Sequence, residues 1–387
     1  MTGVESIAHK TEAAVQMLEK MISIPSVTFE EEKVADYLYG YLCAEANKRA
    51  ATGSAQEPFN VIRIANNVAA IAADYDASLP TLMLNAHCDT VSPAASYTLP
   101  PFEATVKDGT IYGLGSNDDG GSVVCLTQAF LHFIDNVADN AADNGAVSSK
   151  MNIILLISAE EERSGKKGIV YALGELRSRG INPDFAIIGE PTAMKAAVAE
   201  RGLLVLDGTA EGVSGHAARN EGVNAIYKAL EDIEKLRSFN FSRKSELMGD
   251  VKLSVTQINA GTAHNVVPDK CTFVVDIRPT EMYTNPEILE LLQNEVGSTL
   301  KARNLKNRTS ATPAGHKLMK AVEKCGLETF ISPTTSDWMK IDIPAVKIGP
   351  GDSARSHKAD EFIKIEELSA GISTYIDFIS AVLQVNN

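Results

Sequence analysis

The sequence predicts an α/β protein with a mixed sheet flanked by helices and a smaller α+β domain inserted into it. Two observations support this prediction. Short apolar runs without alternation, such as 152–158 and 185–188, are typical of strands that are buried on both faces. After about residue 195 the order becomes strand, helix, strand, strand, helix, which indicates a ferredoxin-like unit.

The elements can be placed in order along the chain. Apolar residues three and four positions apart predict amphipathic helices, and short apolar or alternating runs predict strands. The predicted helices include Val15, Leu18 and Ile22, then 34–42, 224–237, one after Pro286, one after Pro313 and one at 368–379. The predicted strands are 68–72, 81–84, 152–158, 185–188, 203–210, 251–258, 271–277 and 344–348.

These patterns predict three segments and two domains. Residues 1–194 form the first part of a larger domain, 195–311 form the inserted domain, and 312–387 complete the larger domain. Two polar stretches without periodicity, 47–58 and 135–150, are predicted to be surface loops.

Composition excludes several classes of protein. With 387 residues and 44% hydrophobic residues, the chain is long enough for two or three domains with their own cores. A formal charge of −14 disfavours nucleic acid and anionic membranes as partners. Since we find no apolar stretch of about 18 to 20 residues and no basic-then-apolar leader, we expect a cytoplasmic protein. The cysteines are odd in number and widely spaced, which predicts free thiols at Cys43, Cys88, Cys125, Cys271 and Cys325.

Polar residues follow the predicted strands at the places where open α/β sheets bind ligands. His87 and Asp89 come just after the apolar run 81–84. In extended backbone they would share a face, so the carboxylate could orient the imidazole for a metal ion. The alternative is a capped loop with an incidental histidine.

A glycine-rich turn at 113–121 could suggest a nucleotide site. The dinucleotide fingerprint requires a third glycine where this chain has Asp118, and the Gly-Lys-Ser/Thr of a phosphate cradle is missing from the turn. Asp118 and Asp119 would repel phosphate and attract a cation. A purely structural turn is the alternative.

Acids and a second histidine follow three more strands. Glu160, Glu161 and Glu162 come directly after the run 152–158, and clustered acids at a strand end favour a cation or a raised pKa. Glu190 follows 185–188 in the same way, and His357 lies in a glycine-rich loop after 344–348. Solvated acids are the alternative for each cluster taken singly.

In this order, these motifs resemble the dizinc amidohydrolases that include acetylornithine deacetylase, succinyl-diaminopimelate desuccinylase, aminoacylases and carboxypeptidase G. The resemblance spans nearly the whole chain and implies a zinc-peptidase-like catalytic domain with an inserted lid and dimerisation domain. It also implies two divalent ions, zinc by first expectation, with cobalt and manganese as alternatives. The implied ligands are His87, Asp118 and Glu190 for one ion and a bridging Asp118, Glu162 and His357 for the other.

The resemblance also implies roles for residues around the ions. Glu161 matches the general base, and Asp89 matches the residue that orients His87. His216 matches a histidine that reaches across a dimer interface to stabilise the oxyanion, which implies a homodimer formed through the inserted domain. Independently, three carboxylates offset most of the charge of two divalent ions. Three protein ligands and an open position for each ion are typical of catalytic zinc.

The substrate prediction depends on pocket positions matched to the family, which are Asn265, Arg278, Thr335 and Arg355. We expect amide hydrolysis of a small N-acyl amino acid, N2-acetyl-L-ornithine or N2-succinyl-L-ornithine, in arginine biosynthesis. Alternatives within the family are a succinyl-diaminopimelate desuccinylase and a dipeptidase or aminoacylase. Against the desuccinylase, Gly120 replaces a common lysine and Glu200 precedes Arg201 where consecutive arginines are usual. A non-catalytic metal-binding scaffold is disfavoured, because the ligands and the base are all present.

Overall fold

The structure is a computed structural model that describes residues 3–52, 58–140, 151–219 and 221–385. The chain divides into two compact units. The large unit comprises Met1–Val198, Thr312–Phe330 and Ser336–Asn387, and the small unit comprises Ala199–Ala311 and Ile331–Thr335. The domain boundaries predicted from the sequence stay a prediction.

The helices of the described residues are α1 (Gly3–Ile22), α2 (Glu32–Thr52), α3 (Gly120–Asn140), α4 (Ile169–Ser178), α5 (Ala225–Ser238), α6 (Asn285–Glu295), α7 (Lys317–Lys324) and α8 (Ile365–Gln384). Short 3₁₀ helices span Ala217–Arg219, Asp337–Lys340 and Ser353–Arg355. None of the helices in the described ranges combines the length and apolarity needed to cross a membrane.

The strands, in chain order, fall into two larger and two smaller sheets. The first nine are β1 (Phe59–Ile64), β2 (Asn67–Ala72), β3 (Thr81–His87), β4 (Thr105–Lys107), β5 (Thr110–Tyr112), β6 (Asn152–Ser158), β7 (Phe185–Ile188), β8 (Ala196–Glu200) and β9 (Leu204–Glu211). The others are β10 (Gly215–His216), β11 (Lys252–Ala260), β12 (Val266–Val267), β13 (Lys270–Arg278), β14 (Thr299–Ala302), β15 (Ser310–Ala311), β16 (Thr329–Ser332), β17 (Ala345–Lys347) and β18 (Phe362–Lys364).

A mixed sheet forms the centre of the large unit. Its strand order begins β1-β2-β6-β3-β7-β17-β8, and β6, β3, β7 and β17 run parallel to one another. The predicted strands 152–158 and 185–188 coincide with β6 and β7. All seven residues of β3 are buried, as expected for a parallel strand covered on both faces.

Alternate residues of this sheet supply two hydrophobic layers. Leu82 and Leu84 of β3 point into the layer formed with α1, α3 and α8. Met83 lies in the opposite layer, with Leu173 of α4 and Trp338. This alternation follows from the two-residue side-chain period of a strand. The strands are therefore closed on both faces, and polar side chains accumulate at their ends.

The small unit contains a four-stranded antiparallel sheet in the order β11-β13-β9-β14. With α5 and α6 it gives the order β-α-β-β-α-β of a ferredoxin-like unit. Buried residues alternate along β13 at Cys271, Phe273, Val275 and Ile277. A capping box between Thr284 and Glu287 starts α6. The predicted fold class, a mixed sheet flanked by helices plus an α+β unit, is thus observed.

The two predicted surface loops need a correction. α2 continues to Thr52 and α3 to Asn140, so residues 47–52 and 135–140 are helical. Alanine-rich sequence favours helix even when it is polar, and Arg49 ties the two helices together through an ion pair with Asp135 at 2.6 Å. Residues 53–57 and 141–150 of these stretches lie outside the described residues, and Pro58 is described. The five cysteines are free thiols, as predicted.

Candidate active site

Four parallel strands bring the predicted site residues of the large unit to one edge. His87 is the last residue of β3, Glu161 and Glu162 follow β6, and Glu190 follows β7. His357 lies in the loop after β17. Because carboxyl ends of parallel strands meet at the same edge, residues more than 250 positions apart in sequence converge there.

A compact cluster of possible metal ligands lies at this edge. Ligand atoms of His87, Asp118 and Glu162 all lie within 4.8 Å of one another. His87 Nε2 is 3.2 Å from Asp118 Oδ1, and His357 Nε2 is 3.7 Å from Asp118 Oδ2. His357 Nε2 is also 3.0 Å from Glu162 Oε1. Asp118 therefore lies between the two imidazoles, and a different oxygen faces each ring.

The electrostatics of this cluster fit a cation. Burial raises the pKa of Glu190 well above its usual value, and the nearby negative charge of Asp118 raises it further. The hydrogen bond to Glu162 raises the pKa of His357 to about 9. Imidazole nitrogens and carboxylate oxygens are donors that zinc, cobalt and manganese accept. The residues present therefore fit a divalent ion.

The glycine-rich turn holds Asp118 through a carboxylate from the far end of the chain. Glu361, which is buried, accepts hydrogen bonds from the backbone N–H groups of Gly115 at 3.0 Å, Asn117 at 2.9 Å and Asp118 at 2.8 Å. These N–H groups are the kind that a phosphate cradle would use, and here they bind a carboxylate. The geometry argues against the nucleotide alternative and gives Glu361 a positioning role that the sequence did not suggest.

Asp89 connects two strand ends and is fully buried. Its carboxylate accepts hydrogen bonds from the N–H groups of Glu161 at 3.0 Å and Glu162 at 3.2 Å, and from the Thr28 hydroxyl at 2.9 Å. The His87 Nδ1 atom lies 2.9 Å from the backbone oxygen of Asp89 and 3.5 Å from its carboxylate. Burial alone would raise the pKa of Asp89, but the contact with His87 and these donors lower it overall. Asp89 thus fixes the ring of His87 and the backbone of the two glutamates.

Glu161, predicted as the general base, has a side chain that is only 11% exposed. Burial raises its pKa to about 7, although the positive charge of Lys340 opposes the shift. A value near neutrality suits proton transfer in both directions. The Lys340 ammonium lies 3.7 Å from Glu161 Oε1 and 3.0 Å from Asp337 Oδ1.

Lys340 and Asp337 also belong to the site, although no sequence motif indicated them. They are three residues apart on the 3₁₀ helix Asp337–Lys340, and both are largely buried. An acidic and a basic residue three positions apart, with a tryptophan between them, only weakly indicate a functional site. The same pattern is common on solvent-exposed helices.

Four predicted residues belong to the small unit. His216 in β10 and Asn265 just before β12 are neighbours, because β10 pairs with β12 and the Ala217 N–H donates to the Asn265 carbonyl at 3.1 Å. Both side chains are exposed. Thr335 and Arg278 also lie in this unit. Their roles in catalysis or binding stay predictions.

Arginines considered for a substrate carboxylate already have partners. Arg355 makes two hydrogen bonds to Glu367, at 2.7 and 2.9 Å, and Arg278 pairs with Asp276 at 2.8 Å. Arg201 is buried and donates to main-chain carbonyl oxygens. A guanidinium has five N–H groups, so these pairings orient Arg355 and Arg278 and leave other N–H groups to donate to a substrate.

Comparisons with known proteins agree with this geometry. Over residues 83–381 the sequence matches peptidase family M20/M25/M40. The succinyl-diaminopimelate desuccinylase of Delftia acidovorans is 28% identical over 386 residues, which cover 92% of this chain and 94% of that protein. A tripeptidase structure from Staphylococcus aureus has a TM-score of 0.70 at 20% identity and covers 97% of this chain and 99% of that one. A dinuclear metal-binding peptidase from Bacillus subtilis has a TM-score of 0.69 at 14% identity, covering 98% and 99%. These two structures show that the fold is shared, which confirms the predicted fold class.

Proposed function

This chain belongs to peptidase family M20/M25/M40, and from this membership we propose its function. It is a metal-dependent hydrolase of amide bonds, and its substrate is an N-succinyl amino acid, with N-succinyl-diaminopimelate the first expectation. The observation that supports amide hydrolysis is the buried carboxylate of Glu161 beside the cluster of His87, Asp118, Glu162 and His357. The succinyl group is supported by relatives named succinyl-diaminopimelate desuccinylase. They favour this alternative over the acetylornithine prediction.

Two divalent ions are part of the proposal. His87, Asp118 and Glu190 would hold one ion, and Asp118, Glu162 and His357 would hold the other. A structurally similar peptidase is described as dinuclear, which supports the number two. When bound, such ions polarise the amide carbonyl and lower the pKa of a water molecule.

The protein's own residues position and move the proton. Glu161 accepts a proton from the attacking water and donates it to the nitrogen of the leaving amine. Asp89 holds the backbone of Glu161 and Glu162 through two N–H groups, so the base and a metal ligand keep a constant separation. Glu361 holds the backbone N–H of Asp118 in the same way.

The small unit is proposed to form a homodimer interface. β11 lies at an edge of its sheet, and edge strands offer unpaired backbone groups to a second chain. Large apolar side chains are exposed nearby, with Tyr227 at 66%, Leu230 at 51% and Ile258 at 48%. In such a dimer, we propose that His216 donates a hydrogen bond to the oxyanion in the partner's site.

The test combines metal analysis with a substrate panel. The purified protein is assayed on N-succinyl-L,L-diaminopimelate, N2-succinyl-ornithine, N2-acetyl-ornithine and a set of dipeptides. We expect about two metal ions per chain and the highest kcat/KM for N-succinyl-diaminopimelate. A preference for acetylornithine would restore the prediction made from sequence, and a preference for dipeptides would contradict the acyl-amino-acid assignment.

A further inference from the structure

Lys340 occupies an unusual place for a lysine. Its side chain is only 10% exposed, and its ammonium lies among oxygen atoms of two acidic residues. The Nζ atom donates hydrogen bonds to Asp337 Oδ1 and to the backbone oxygen of Glu161, both at 3.0 Å. Burial alone would lower the pKa of Lys340, but Asp337 and Glu161 raise it overall, so the side chain stays positively charged.

The ammonium is itself fixed by a chain of buried hydrogen bonds that starts in the central sheet. Asn85 of β3 donates to the Ser158 hydroxyl at 3.0 Å, and Ser158, at the end of β6, donates to Asp337 Oδ2 at 2.6 Å. The other oxygen of Asp337 binds Lys340. The position of the ammonium therefore depends on two rigid strands rather than on a mobile loop.

The Lys340 ammonium lies closer to the backbone oxygen of Glu161 than to its carboxylate, which leaves the carboxylate able to act as a base. The ammonium is hydrogen-bonded to the backbone oxygen of Glu161 but is 3.7 Å from Oε1, which is too long for a hydrogen bond. At this distance the charges still attract in a site that excludes most water. The lone pairs of the carboxylate remain available to accept a proton from water.

We propose that Lys340 is a positioning residue for Glu161, which holds the backbone of the base by a hydrogen bond and orients its carboxylate by charge. This inference rests on the proposed function, in which Glu161 transfers the proton. The hydrogen bonds and ion pairs of Lys340 go to Glu161 and Asp337 and not to the proposed metal ligands, so it should influence turnover and not metal binding.

The first experiment compares Lys340→Met and Lys340→Arg with the wild type on the best substrate of the panel. Methionine keeps the apolar stem and removes the charge, whereas arginine keeps the charge. We expect kcat to fall about 100-fold in Lys340→Met, KM to change less than about threefold, and metal content to stay the same. Lys340→Arg should recover kcat to within about tenfold of the wild type. Lys195→Met removes an exposed lysine that pairs with Glu328, and should behave as the wild type.

Removing the ammonium alone leaves Asp337 as a buried, unpaired carboxylate, which could unfold the chain. The double variant Asp337→Asn with Lys340→Met removes both charges together and keeps an acceptor for Ser158. It should fold and show the same loss of kcat as the single variant. If either folded variant keeps kcat within about threefold of the wild type, Lys340 has no positioning role.

Crystal structures of the wild type and Lys340→Met separate this inference from the proposed function. We expect the Glu161 carboxylate to move by more than about 1 Å, because it loses the nearby charge. If the wild type hydrolyses none of the amides, the proposed function is wrong, and the crystal structures alone decide. An unmoved Glu161 carboxylate in Lys340→Met would overturn the inference, and a displaced one would support it.

Discussion

The two large sheets of this chain carry polar residues in different ways. In the mixed sheet of the large unit, β3 is buried along its whole length, and its histidine lies at the last position. In the antiparallel sheet of the small unit, β11 is half-exposed or exposed at every position. A parallel sheet covered on both faces can place chemistry only at its strand ends, whereas an antiparallel sheet leaves a face and an edge for a partner. This difference supports the proposal that the mixed sheet carries the catalytic residues and that the antiparallel sheet forms the dimer interface.

The largest effect should come from the base at the end of β6. We expect Glu161→Gln to reduce kcat by at least about 1000-fold, because the amide cannot accept the proton. Metal content, measured by elemental analysis, should stay at the wild-type level. Glu328→Gln changes an exposed acid in the same unit and serves as the control. Substantial turnover by Glu161→Gln would show that Glu161 is not the general base.

The second effect tests whether the antiparallel unit contributes to a site in its partner. His216→Ala should lower kcat about 100-fold without loss of metal, because one oxyanion donor is removed. When His216→Ala and Glu161→Gln proteins are mixed and allowed to exchange subunits, heterodimers would contain one complete site. Activity should then recover to about a quarter of the wild-type value. An inactive mixture of exchanged dimers would contradict a contribution across the interface.

A smaller effect is expected for the carboxylate that holds the glycine-rich turn. Glu361→Gln replaces one of two acceptor oxygens with an amino group, so at least one of three backbone N–H groups loses its partner. We expect destabilisation by about 1.5 to 3 kcal/mol and a fall in kcat of about tenfold. Thermal denaturation and steady-state kinetics measure these effects. Glu366→Gln alters an exposed neighbour and should change neither quantity.

The exposed apolar face of α5 should affect association and should add no effect on kcat beyond the one expected for His216→Ala. Leu230→Asp places a charge where we expect the second chain, so the protein should sediment as a monomer. Metal content should not change, and kcat should fall by the same factor of about 100 as in His216→Ala, because each site loses the histidine of the second chain. Val170→Asp, on an equally exposed position of α4, is the control. A dimer that survives Leu230→Asp would place the interface elsewhere.

The strand ends could be predicted because burial on both faces leaves a clear pattern in the sequence. The runs 152–158 and 185–188 coincide with β6 and β7, and the acids after them lie at the same edge. The partners of these residues could not be predicted. Glu361 binds a turn some 240 positions earlier, and its target is backbone, which carries no sequence signal. The same holds for Arg355, whose hydrogen bonds to Glu367 of α8 the sequence did not indicate; its role in substrate binding stays a prediction.

The hydrogen bonds between Glu361 and the glycine-rich turn affect the order in which the site forms while the protein is being synthesised. Both His357 and Glu361 lie after the segment that forms most of the small unit, so a growing chain that ends before them holds only part of the ligand cluster. The carboxylates of Asp118 and Glu162 then lack the second imidazole, and the turn lacks its acceptor. In the proposed metal site, the full set of ligands and the acceptor for the turn are therefore present together only once synthesis has passed Glu361. We expect a nascent chain that ends before His357 to bind divalent ions more weakly than a chain that contains both residues.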